Sequence, residues 1–286
     1  MTALPLDPKN PATRRREPSR SRRRFAGIGL PIYVALALAF LLIPIVYTFV
    51  FSFNDSGKSN LAWRGFTFEK WLTVCNEPGL CEAFGNSILV GVVATVLATA
   101  LGTAIAIALV RYRFRFRSSI SLLLFLPMAT PEVVLGAGLA AQFLALGTQK
   151  GIVTVILAHT MFCISFVVVT VKARVAGLDP ALEEAGRDLY GSPAQVFWRI
   201  TFPLLLPGIL AAALLSFALS FDDFIITNFN SGAVDTFPKF IYIAAARGIP
   251  AEANVIASAV FILAILIVVV SQVSRSARQK RLAKLT

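Results

Sequence analysis

Three acidic residues sit inside segments otherwise built from apolar side chains: Glu132 in LPMATPEVVLGAGL, and the neighbours Asp222 and Asp223 in SFALSFDDFIITNF. An ionisable group at such a position is costly in hydrocarbon and marks either a transport pathway or a paired structural contact. Phe217, Phe221, Phe224 and Phe229 surround the aspartates. Carboxylates beside aromatic faces suit an organic cation, the acids supplying charge and the rings cation-π attraction. A structural reading stands beside this one. On a helix, Asp222 and Asp223 point about 100° apart, so one faces a path while the other caps or pairs, and Glu132 can contact a neighbouring helix. Pro127 and Pro131 interrupt the helix carrying Glu132, while Gly136 and Gly138 permit a bend or close packing. Such a break opens backbone carbonyls toward a cavity.

The elements that position these acids follow from composition. Hydrophobic residues make up 57% of the 286 and the mean hydropathy is +0.75, which points to a polytopic membrane protein. Stretches long enough to cross about 30 Å of hydrocarbon lie at 25–53, 84–110, 120–146, 151–171, 204–229 and 255–273. All are expected to be helices, because a helix satisfies its own backbone in lipid and an open strand does not. The expected fold is all-α, with a basic disordered tail over 1–24, a membrane domain over 25–274 and a basic tail over 275–286.

The formal charge of +12 raises a nucleic-acid reading, but its distribution argues for membrane topology. Arg14, Arg15, Arg16, Arg20, Arg22, Arg23 and Arg24, the loop of Arg111, Arg113, Arg115 and Arg117, Lys172, Arg174 and the C-terminal tail fall on one side of the spans. By the positive-inside rule that side, with both termini, is the cytoplasm. The Ser21–Phe25 stretch SRRRF looks like a twin-arginine export signal, but the apolar run continues past Ala39 without a polar cleavage region, so a retained first helix is expected.

The cytoplasmic loop at 179–207, DPALEEAGRDLYGSPAQVFWRITFPLLLPG, is polar between two apolar runs. Asp179 can cap a helix beginning at Pro180, with Glu183 and Glu184 near its positive end. Gly191 breaks that helix, and Ser192, Pro193 and Gln195 read as a capping box opening a second one. This loop resembles the EAA motif of ATP-binding cassette importer permeases. Glu184, Ala185, Ile200 and Pro203 match it. Gly186 replaces the second Ala, Tyr190 takes the place of Gly with Gly191 beside it, and Phe202 replaces Leu, so the turn glycine is shifted by one residue. The resemblance implies coupling helices lying in a groove of an ATPase subunit, with Glu184, Ala185, Gly186, Gly191, Ile200 and Pro203 as the coupling set.

The PEVVLG and SFDDFIIT segments are similar to motifs of spermidine/putrescine importer permeases. That resemblance runs from the first span to the sixth and implies a type I importer fold in the inner membrane. It also implies a partner permease, two ATPase subunits, an external substrate-binding protein and a polyamine cargo, with Glu132, Asp222, Asp223, Phe221 and Phe224 as candidates for the path. Two alternatives compete: the same machinery carrying another small solute, and an ion-coupled carrier in which Glu132 and Asp222 relay protons.

Other motifs carry no chemistry. The only GKS, Gly57–Lys58–Ser59, has Ser52 where a phosphate-binding loop needs glycine, so ATP hydrolysis is expected on other chains. His159 lacks a ligand cluster and suits interhelical hydrogen bonding. Neither a metal nor a cofactor is expected on this chain, and no catalytic residue. Cys75 and Cys81 either form a local disulfide or remain free thiols, and Cys163 is a small packing residue.

Overall fold

The computed structural model describes residues 20–56 and 60–282; the tail before Arg20, the Gly57–Lys58–Ser59 fragment and residues 283–286 lie outside that description. Among the described residues every regular element is helical, and the one extended pairing is an isolated bridge between Asn54 and Phe66. Five helices are long and apolar enough to cross a membrane, and a bent pair supplies a sixth candidate span.

The chain divides into two compact units: residues up to Ser52 together with those from Ala257 onward, and Phe53–Ile256. The first holds α1 (Arg20–Phe51) and most of α12 (Ala251–Leu282). Helix α1 already starts at Arg20 and α12 continues to Leu282, so helix extends into both stretches expected to be tails.

The second unit is built on α3 (Leu80–Arg111), α6 (Ile152–Ala176) and α9 (Phe202–Asp222). Their packing originates in residue size. The buried residues of α3 include Ala83, Ser87, Gly91, Ala94, Ala98, Gly102 and Ala106, spaced three or four apart on one face, which lets neighbouring backbones approach closely. At Gly102 a Cβ would stand 2.6 Å from Val167 Cγ1 and 3.3 Å from the Ile164 carbonyl of α6. At Gly91 it would stand 3.0 Å from the Phe217 ring of α9.

Two expected spans are corrected. The third is split into α4 (Arg117–Ala129) and α5 (Glu132–Ala145), which meet at 110°. Pro127 lies within α4 without interrupting it. Pro131 makes the break, because the residue before a proline is driven out of the helical region, and Thr130 is extended at ψ 134°. The fifth is a helix over Pro193–Asp222 rather than 204–229: α8 (Pro193–Val196), a π turn at Phe197–Thr201, then α9. The wider π turn relieves the clash that Pro203 imposes on the preceding turn. After Asp222 the chain breaks and resumes as α10 (Ile225–Asn230).

At the Leu80 end of α3, the connection after Phe53 is fastened by side chains. Cys75 and Cys81 are disulfide-bonded with Cα atoms 5.3 Å apart. Asn54 Nδ2 donates to Asn60 Oδ1 at 2.6 Å, and its Oδ1 accepts from the Arg64 amide at 2.8 Å. Lys70, in α2 (Glu69–Leu72), pairs with Glu252 at 2.9 Å, and this hydrogen bond raises the lysine pKa above its ordinary 10.5. Its contribution to stability is therefore present below that ordinary value and lost as pH rises through the raised one.

The close approach at Gly102 makes a direct prediction. Gly102→Ala forces α3 away from Val167 and costs about 1–3 kcal/mol, read as a lower unfolding midpoint of the detergent-solubilised protein. An unchanged midpoint would contradict the packing.

Candidate functional site

Both chain breaks open onto one cavity. Glu132 begins α5 directly after Pro131, Asp222 ends α9, Asp223 and Phe224 form the second break, and Ile225 begins α10. With Phe162 and Leu215 they line a cavity of about 440 Å³. Glu132, far in sequence from the adjacent Asp222 and Asp223, is thus brought together with them. Gly136 allows α5 and α10 to meet: a Cβ there would stand 3.2 Å from Ile226 Cα, and its carbonyl accepts from Asn230 Nδ2 at 3.2 Å. Gly138 has open space beside it.

The acids are not equivalent. Glu132 and Asp222 are exposed, whereas Asp223 is buried. Asp223 leaves the helical region at ψ 122°, so the two aspartates are not successive positions of one helix, and the expected 100° offset does not apply. Its Oδ1 accepts from the Thr227 amide at 2.9 Å and its Oδ2 from the Ile226 amide at 3.4 Å, satisfying donors at the start of α10. Oδ1 also lies 3.3 Å from His159 Nε2. His159, itself buried, is held by Ser220 Oγ at 2.7 Å from Nδ1 and by Thr227 Oγ1 at 2.9 Å from Nε2. The histidine therefore has the interhelical role expected of it, joining α6 to both sides of the break.

The aromatic candidates separate as well. Phe224 lines the cavity and stacks on Tyr242 with centroids 4.1 Å apart. Phe221 does not line it; its ring packs against Phe84 at 6.1 Å and Phe217 at 5.8 Å. The break at Asp223 turns the following residues toward the cavity and leaves Phe221 on the helix face directed at α3.

The 179–207 loop forms two helices. The first, α7, runs Ala181–Asp188, one residue later than expected, and Asp179 Oδ1 accepts from the Ala181 amide at 3.0 Å. The expected capping box is present: Ser192 Oγ accepts from the Gln195 amide at 3.3 Å, and Gln195 Oε1 from the Ser192 amide at 2.9 Å. The glycine shift is corrected by the backbone. Tyr190, at the motif's glycine position, itself adopts the left-handed conformation at φ 59°. Gly191 is required for another reason, since its Cβ would lie 2.6 Å from the Gly186 carbonyl. Gly186 in turn makes room for Ile200, whose Cδ1 would lie 2.7 Å from an added Cβ. Glu184, Ala185 and Pro203 are exposed.

Several important residues carried little signal in sequence. Glu183, read only as a charge at a helix start, accepts from Arg111 at 2.8 Å and from Thr201 Oγ1 at 3.1 Å. Arg174, counted only for its charge, donates from Nε and a terminal nitrogen to the Leu204 carbonyl at 3.0 and 2.9 Å. Gly208 accommodates its stem, with Arg174 Cγ 2.7 Å from an added Cβ.

Comparison with known proteins places this arrangement. Residues 98–284 match the family model for the binding-protein-dependent transport system inner membrane component. The spermidine/putrescine transport system permease protein PotC of Haemophilus influenzae is 34% identical over 222 residues, 77% of this chain and 86% of that protein. The putrescine transport system permease protein PotI of Escherichia coli is 32% identical over 216 residues, 73% of this chain and 76% of that protein. In fold, the chain is similar to a bacterial ABC transporter involved in import of the acidic polysaccharide alginate, with TM-score 0.62 at 19% identity, covering 91% of this chain and 98% of that one. It is also similar to the MetNI methionine ABC transporter in an inward-facing conformation, with TM-score 0.55 at 16% identity, covering 74% of this chain and 99% of that one. The chain belongs to the inner-membrane components of binding-protein-dependent transport systems, as a multi-pass permease subunit rather than an enzyme.

Proposed function

We propose that this chain forms half of the translocation path of an ATP-driven polyamine importer. The observation that carries the reading is the cavity in which Glu132 and Asp222 are exposed beside Phe224. Two carboxylates spaced along an apolar wall fit a flexible chain of methylenes between ammonium groups, with the ring adding cation-π attraction. The relatives named for spermidine and putrescine support this cargo. Asp223 is assigned to holding the break open, because its carboxylate already has its partners.

A second permease completes the path in this reading, two ATPase subunits supply the force, and an external binding protein delivers cargo to the 54–83 and 231–254 connections. The basic residues support a cytoplasmic position for both termini and the 179–207 loop. There the exposed Glu184 and Ala185 of α7, with Tyr190 in the turn after it, meet the ATPase. Gly186, Gly191, Ile200 and Pro203 hold the shape of the loop and its passage into α9. The alternative of a proton-coupled carrier leaves this loop without a partner.

The path assignment is tested by labelled-spermidine uptake. Asp222→Asn and Glu132→Gln lower uptake about tenfold or more, as expected for a lost charge-assisted contact of about 1.5–3 kcal/mol, with assembly preserved; normal uptake in both variants removes the assignment. Glu184→Arg weakens ATPase binding and abolishes uptake, and full retention of both shows that the loop is not the contact. His159→Leu behaves differently. It strips the ring partner from Asp223, Ser220 and Thr227 and lowers stability by about 1–3 kcal/mol, measured by thermal unfolding in detergent; an unchanged midpoint excludes the bracing role.

A further inference from the structure

We propose that Glu183, rather than the motif residue Glu184, is the positioning residue that carries movement of the loop into the membrane helices. The proposal rests on the reading of the loop as the ATPase contact. Its basis is one carboxylate oxygen. Oε1 of Glu183 accepts from Arg111 at 2.8 Å and from Thr201 Oγ1 at 3.1 Å. Arg111 is the last residue of α3, and Thr201 is the buried last residue of the π turn leading into α9. A single side chain of α7 thus holds the ends of two membrane helices. Glu184, one position on, is exposed, and its carboxylate makes no hydrogen bond or ion pair among the described residues.

Three features suit this contact to transmission rather than to static bracing. The ion pair is made by one guanidinium nitrogen, while Arg111 Nε is buried without a hydrogen-bond partner among the described residues. The contact can therefore pivot, unlike a two-pronged arginine–carboxylate clamp. The Thr201 hydroxyl donates to Glu183, so the π turn depends on a group outside its own helix. A π turn is a rare interruption of the α-helical ladder found frequently at functional positions. Space for movement is present: Arg111, Tyr112, Glu183, Arg187, Pro193 and Thr201 line a cavity of about 280 Å³. Displacement of α7 pulls Arg111 and Thr201 together, so α3 and α9 move as a pair. These helices frame the core from which the acid-lined cavity opens.

The test uses the assembled complex in proteoliposomes, with Ala218→Cys as a reporter inside the acid-lined cavity and an impermeant thiol reagent as probe. The parent is expected to change its labelling rate on ATP addition. Glu183→Gln and Thr201→Val are expected to keep ATPase binding and hydrolysis while shrinking that change about fivefold or more, the scale of coupling between two sites. The charge swap Glu183→Arg with Arg111→Glu restores part of it, which a generic loss of stability would not allow. Should Glu183→Gln fail to assemble, Thr201→Val, which removes one hydroxyl at nearly constant volume, decides alone. A full ATP response in assembled variants overturns the proposal. A separate cross-link from Tyr190→Cys to the ATPase subunit distinguishes the two levels: a cross-link with a full response rejects only the role of Glu183, whereas no cross-link in the parent rejects the coupling reading and this proposal with it.

Discussion

Everything at the acid-lined cavity depends on the requirement that a helix interrupted within an apolar segment find protein partners for the backbone groups it frees. Asp223 meets that requirement at the α9–α10 break. Its carboxylate takes the amides of Ile226 and Thr227, and His159 holds the carboxylate from the opposite helix. At the α4–α5 break the burden is met locally: both the Thr130 amide and its hydroxyl donate to the Leu126 carbonyl, and the Pro131 carbonyl accepts from Val134 and Leu135. With these groups satisfied, the corner residues Glu132 and Asp222 are left with carboxylates facing open space. The cavity exists because two helices stop where lipid-facing helices would continue.

Small residues on α3 make the rest of the second unit compatible with those breaks. Their stripe lets α6 and α9 come close enough for His159 to reach Ser220 and Thr227. The same helix ends at Arg111 on the loop side, while near its start Ser87 accepts from the Phe237 amide at 2.8 Å. A displacement at one end of so continuous an element is felt at the other, because a packed helix interface has few intermediate arrangements. In the proposed coupling, this is how a polar loop outside the apolar segments acts on the cavity without any charge relay between them.

Much of this was legible in the residues themselves, for local reasons. Apart from the third and fifth, span positions follow hydropathy; the helix start at Pro193 follows Ser192 and Gln195, and the sharp bend follows Pro131. What escaped depends on distant partners or on backbone detail. The sequence SFDDFIIT contains neither proline nor glycine to announce a break; Asp223 caps α10 through the amides of Ile226 and Thr227, and His159, on another helix, lies against its carboxylate. Phe221 packs on Phe84 and Phe217 rather than lining the cavity, since the break decides which rings turn toward it. Tyr190 was read as displacing the turn to Gly191, yet the turn stayed in place and the glycine answers to the Gly186 carbonyl. Glu183 looked like ordinary helix-end charge because Arg111 and Thr201 come from other parts of the chain.

The account stands or falls on cargo and energy source together. The decisive measurement is uptake of labelled spermidine and putrescine by transporter-deficient cells expressing this chain with its neighbouring transporter subunits, beside cells whose ATPase subunit cannot hydrolyse ATP. The account predicts uptake that disappears with the inactive ATPase. Uptake that persists without hydrolysis would contradict the coupling, and an assembled, hydrolysing complex that takes up neither polyamine would contradict the cargo.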